Sequence, residues 1–178
     1  MDWTEDEKFS GVVIISLIFL LACTPAADDM FTEFSEPDPE IYVELMSIIR
    51  EYFYYRKQAV LKDEMDVLYD RYPALETGIN IDQGINIEAS QVHHLQSLAP
   101  FDGDIFPEYY EKIRVWEEED EVQILVHGMA LYLWKDSEGI YEESGGEFMM
   151  VIYAKDQGGD WQIYKTDEVT LGEWKDKK

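Results

Sequence analysis

A single cysteine among 178 residues rules out an intrachain disulfide, so the fold has to be held by its core rather than by cross-links. Basic residues are scarce too: 14 Lys and Arg stand against 39 Asp and Glu, for a formal net charge of −25. Nucleic acid requires a basic face that releases counterions from phosphate, and this composition leaves little material for one. Nucleic acid is therefore excluded as a partner class, and electrostatic docking on anionic lipid is excluded for the same reason. Also missing are a phosphate-cradling glycine loop, a G-x-S-x-G elbow, an H-E-x-x-H helix and paired C-x-x-C motifs. Nucleotide-dependent, zinc-hydrolase and thiol chemistries are left without support, and the expectation is no cofactor and no metal. The longest apolar-rich run, Val12 to Ala22 with Ser16 inside it, is well short of the roughly 20 residues that cross a bilayer.

What is present suffices for a folded domain. Apolar residues make up 46% and aromatics 14% of the chain, too much for a disordered acidic polymer, and the length is that of one domain. The excess of acid reads as solubility and mutual repulsion rather than as a binding face for a cationic partner.

The run Gly11 to Cys23, GVVIISLIFLLAC, ends in Leu20-Leu21-Ala22-Cys23. That ending resembles the lipobox of bacterial lipoproteins. The resemblance implies that residues 1–22 are a signal segment, that Cys23 is lipidated on sulfur, and that the protein is anchored in the cell membrane on its extracytoplasmic face. A lone cysteine at this place is explained by acylation better than by redox chemistry. Asp2, Glu5, Asp6 and Glu7 outweigh Lys8 where an export signal is normally basic, a departure from the export pattern of which a mis-called start codon is one explanation. The competing reading of Val12 to Ala22 is a buried helix, but the run lacks the polar face a 3.6-residue period would give. Residues 23–37, with Pro25, Pro37 and repeated acids, have the composition of a flexible acidic tether.

The domain is expected over residues 38–178. Asp38 can cap and Pro39 can open a helix, along which Ile41, Leu45, Ile48, Ile49, Tyr52, Phe53 and Arg56 recur at three- and four-residue steps. Leu61, Met65, Leu68, Tyr69 and Tyr72 predict a second helix that stops before Pro73. Val92, Leu95 and Leu98 predict a third, over Glu88 to Leu98. From Ile113 the period changes to an extended one, with strands expected over Ile113–Glu117, Val122–Trp134, Phe148–Ala154 and Trp161–Thr166. The longest strand is apolar on both faces and carries Gly128 where a bend is expected. One face suits helices, and the other a cavity or a second copy of the chain, making a homodimer through an open sheet face a possible assembly.

This order of elements, with Tyr55-Arg56-Lys57-Gln58-Ala59 leading into Asp63 to Tyr72, resembles the NTF2-like family, whose fold is a cystatin-like α+β cone. The resemblance implies N-terminal helices packed on a curved antiparallel sheet of about four strands. It also implies a pocket that some members use for catalysis on small apolar ligands and others for binding or dimerisation.

The candidate catalytic pair is His127, on the long strand, with Asp167, at the end of the last one, as base and orienting carboxylate; histidines that merely pack are commoner. The candidate pocket residues are Arg56, Tyr69, Tyr132 and Trp134, although aromatics at such spacing are more often core and an arginine ending an apolar stripe more often reaches to water. His93 and His94 are adjacent on a helix and point about 100° apart, unsuited to one metal. Asp82, Asn86 and Glu88, and Asp102 with Asp104, offer calcium-type oxygens without EF-hand spacing, and read as solvated turns. The expectation is a noncatalytic, membrane-anchored lipoprotein whose domain binds a partner or a small apolar ligand. The alternative is an isomerase- or cyclase-type enzyme using the His127 and Asp167 pair.

Overall fold

The computed structural model describes residues 33–118, 120–158 and 160–169; the lipobox-like run, Cys23 and most of the expected tether lie outside them. Helix α1 spans Pro39–Lys62, with Pro39 in its first turn as expected. Asp38 does not cap it with its side chain; instead its carbonyl accepts the Tyr42 N–H at 2.8 Å. The helix buries Leu45, Met46, Ile49, Tyr52, Phe53, Arg56, Ala59 and Val60, and stops at Asp63 in the left-handed region, φ 57°. That reversal breaks up the long second helix expected from the apolar spacing. What remains is α2, Asp66–Tyr69, followed by a 3-10 turn at Pro73–Glu76. Helix α3, Glu88–Gln96, lies where its apolar stripe predicted it.

Five strands follow, one more than expected: β1 Asp102–Phe106, β2 Arg114–Glu118, β3 Glu121–Lys135, β4 Tyr141–Asp156 and β5 Trp161–Val169. All pairings are antiparallel, so the molecule has the expected α+β architecture, helices first and sheet second. Strand β3 is its axis. One edge of β3 pairs along its full length with β4, while the other edge is shared, β2 taking residues 121–125 and β1 taking residues 129–133. Beyond β4 lies β5.

The even residues of β3 and β4 face the helices: Val122, Ile124, Val126, Met150, Ile152 and Ala154 join Leu45, Ile49, Tyr52 and Val60 in the main core. On β5 the alternation is interrupted. Ala154 lies opposite Ile163 but Tyr153 lies opposite Lys165, so an extra residue is accommodated there. In consequence Ile163, then Thr166 and Glu168, all turn inward and are buried.

On the opposite face Leu125, Met149 and Val151 are buried against Phe34 and Tyr153. Phe34 and Ser35 belong to the segment read as tether, and they are docked. Ser35 N–H donates to the Val115 carbonyl at 2.9 Å, and Val115 N–H to the Ser35 carbonyl at 2.7 Å, extending the sheet beside β2. Part of the face expected to be open is therefore covered by the chain itself.

Candidate functional site

Between α1, α3 and the inner face of the sheet lies a cavity of about 290 Å³, lined by Phe53 and Arg56 from α1, Gln91 and Leu95 from α3, Ile105 from β1, Ala130 and Tyr132 from β3, Gly145 to Phe148 from β4, and Glu168 from β5. Two adjacent glycines shape its wall. A side chain at Gly145 would run into the Ala130 carbonyl, whereas one at Gly146 would meet nothing within 4 Å. The first glycine permits close approach of the strands, and the second leaves space that any other residue would fill.

The floor of the cavity is polar. Arg56 does not reach out to water: its Nη2 donates to Glu168 Oε2 at 2.7 Å, with both side chains 11% exposed, and its Nη1 faces the Met150 sulfur at 3.7 Å. Burial works to lower the Arg56 pKa, but the Glu168 carboxylate, with Tyr52 and Glu88 beyond it, raises it above its ordinary value. The guanidinium is thus fixed in its charged form. Tyr132 is 3% exposed, and burial raises its pKa, opposed by Arg56. Its hydroxyl makes no hydrogen bond to another described residue and is not closed off from the cavity; the cavity-lining polar atom that is buried without a partner is Gln91 Oε1.

Behind this floor a second buried carboxylate holds the elements together. Glu88 Oε1 accepts from Tyr52 Oη at 2.9 Å and from Thr166 Oγ1 at 2.6 Å, tying α1, α3 and β5 to one atom. Asn86 sits beside it, its Oδ1 accepting the Thr166 N–H at 2.8 Å and its amide donating to the Thr77 carbonyl at 2.7 Å. Burial above all, and then the Glu88 charge, lift the Tyr52 pKa well above the ordinary tyrosine value.

Asn86 and Glu88, read from sequence as solvated turn residues, are instead internal braces. Asp102 and Asp104 lie in β1, each accepting the backbone N–H of the next residue, and Asp104 also pairs with Lys57 at 3.2 Å. Among the described residues no three His, Cys, Asp or Glu side chains gather as a metal site. His93 and His94 are exposed near the end of α3.

Of the candidate pocket residues, Arg56 and Tyr132 line the cavity, while Tyr69 and Trp134 do not. The ladder does not set His127 and Asp167 side by side. β4 runs between their strands, with His127 opposite Met149 and Asp167 opposite Val151. Both lie on the face carrying Leu125, turned away from α1 and the cavity. The carboxylate at His127 is Glu147, 2.6 Å from Nε2, with Glu111 3.6 Å from Nδ1 and the Tyr110 ring stacked at 5.0 Å. The two acids that line the cavity, Glu147 and Glu168, were not among the residues singled out from sequence.

No protein-family model matches the chain, and no curated protein matches it. Solved structures resemble it at low identity. One is a candidate dehydratase of the NTF2-like family from Streptomyces avermitilis, 12% identical at a TM-score of 0.44, covering 75% of this chain and 100% of that one. Another is Bd1075 of Bdellovibrio bacteriovorus, 10% identical at 0.41, covering 76% of this chain and 45% of that one. A third is a candidate calcium/calmodulin-dependent protein kinase II association domain from Xanthomonas campestris, 15% identical at 0.42, covering 73% of this chain and 87% of that one. The likeness is one of outline, and the site stands on its own residues.

Proposed function

We propose that this protein is a membrane-anchored lipoprotein, attached through Cys23, whose NTF2-like domain binds a small, largely apolar ligand in the cavity between α1, α3 and the sheet. The observation that carries the binding role is the cavity: about 290 Å³, apolar walls from Phe53, Leu95, Ile105, Ala130 and Phe148, and a few polar groups gathered at one end. That combination is what small-molecule sites generally present. The polar groups are held rigidly by a buried ion pair and a braced carboxylate, so little ordering is left to be done on binding.

The test uses the neutral apolar dye N-phenyl-1-naphthylamine and the Gly146→Leu variant, whose new side chain enters the cavity through open space. The wild-type protein should enhance the dye's fluorescence several-fold more than the variant does, with both melting within a few degrees of each other. Equal enhancement would remove the reading. Anchoring is tested separately by labelling cells with radioactive palmitate, where Cys23→Ala should lose the label that the wild type carries.

A further inference from the structure

The cavity's polar floor is not neutral toward every kind of ligand, and its hydrogen-bond inventory points to one kind. Arg56 carries the only cationic side chain among the cavity-lining residues, and Glu168 already balances it at 2.7 Å; the other lining acid, Glu147, is engaged by His127 at 2.6 Å. An anionic head entering this space would lose its hydration and meet a guanidinium whose charge is taken, with Glu168 beside it and Glu88 behind. A cationic head would lose hydration as well and meet Arg56 itself. A dry, balanced ion pair of this kind disfavours any further net charge.

What the cavity has to spare is two donors, on Arg56 and Tyr132, and one acceptor, Gln91 Oε1, which is buried with no hydrogen-bond partner among the described residues and which a ligand hydroxyl can satisfy in turn. Arg56 Nη1 faces only the Met150 thioether, at 3.7 Å, a weak acceptor that a good oxygen would displace. Tyr132, a cavity-lining residue, has no hydrogen bond from its hydroxyl to another described residue, and that hydroxyl is not among the closed-off polar atoms, so it is free to bond a group that enters the cavity. Both residues line the same cavity. At about 30 Å³ per water-sized group, a space of about 290 Å³ holds roughly ten such groups, the size of a medium-chain compound or a fused pair of rings.

Resting on the cavity-binding reading above, we infer that the ligand is an uncharged molecule with an apolar body and one acceptor oxygen, of the alcohol, ketone or ester class, whose oxygen is held by Arg56 and Tyr132; it is not a carboxylate or an amine. Recognition is then by hydrogen bonding from a charge-balanced donor pair, and the ligand's remaining surface packs on Phe53, Leu95, Ile105 and Phe148.

The experiment measures displacement of bound N-phenyl-1-naphthylamine from the purified full chain at pH 8 by four compounds sharing one chain length: 1-decanol, 2-decanone, decanoate and decylamine. The alcohol and ketone should displace the dye at concentrations at least tenfold lower than the acid and the amine. In Tyr132→Phe the affinity for alcohol and ketone should fall about five- to tenfold, the range expected for one hydrogen bond, while the dye's own affinity holds. Decanoate or decylamine binding as tightly as the alcohol would overturn the inference and leave the cavity-binding reading in place, since the dye is still bound. So would a Tyr132→Phe variant that weakens the dye and the oxygenated compounds alike. A wild-type protein that binds no dye would overturn both readings together. The head-group ranking is read on the wild type, so the inference stays open to refutation even if the variant folds poorly.

Discussion

Arg56 and Glu168 show how much a pair of residues can be worth when both are taken out of water. Removing one partner strands the other, and a stranded buried charge typically costs about 3–5 kcal/mol, whereas replacing both with apolar groups is often close to neutral. Arg56→Met should therefore lower the unfolding free energy by roughly that amount, and Arg56→Met with Glu168→Leu should recover most of the loss. Urea denaturation of the three proteins checks this, and a double variant no more stable than the single one would refute it. Arg56 was legible in the sequence as a charge closing an apolar helical stripe. Glu168 was not, for a definite reason. Counting by twos from the inward-facing Ile163 leads to Lys165 and Asp167, and only the extra residue accommodated between Ile163 and Lys165 moves Thr166 and Glu168 inside. An alternation rule has no means of seeing a bulge that the partner strand imposes.

At the level of elements, the strands that escaped sequence reading are those whose composition argues for turns. β1 begins Asp102-Gly103-Asp104, and the first half of β4 runs through Glu142, Glu143, Ser144 and two glycines. They become strands because β3 offers both of its edges as a template, and tertiary pairing overrides weak local preference. The two glycines of β4 should respond in opposite ways to the same small change. Gly145→Ala places a methyl against the Ala130 carbonyl and should lower stability by about 1–3 kcal/mol, the usual cost of overpacking. Gly146→Ala adds its methyl to open space and should be neutral or slightly stabilising, because alanine has less freedom to lose on folding. Thermal melts of the two variants give the comparison, and equal melting temperatures would contradict it.

For the whole molecule, the tyrosines set the behaviour at high pH. Burial, in each case the largest cause, raises the pKa values of Tyr52, Tyr69, Tyr72 and Tyr132. Burial and then a hydrogen bond to Glu121 push Tyr164 up to about 12. A group whose folded pKa lies above its unfolded value, about 10 for tyrosine, holds its proton more tightly when folded. Its contribution is complete below that unfolded value and is lost as pH rises through the folded one. Stability should thus be insensitive to these groups at neutral pH and decline above about pH 10. Absorbance at 295 nm should show only part of the 12 tyrosines ionising before the protein unfolds; full titration of a still-folded protein near pH 10 would refute the assignment. The order of helices before sheet was readable at this scale because the apolar period changes near Ile113. A pocket was expected too, and Arg56 and Tyr132 were named for it and line it, but the rest of its lining was not readable, because wall and floor come from separate elements. That separation also bears on the order in which the parts come together. β3, β4 and β5 form a meander of sequence neighbours and can pair early, whereas Arg56 and Glu168 are 112 residues apart and meet only across a long closed loop. The binding site is accordingly among the last features of the molecule to exist during folding, and a nascent chain that has already built its sheet axis still lacks a place for its ligand.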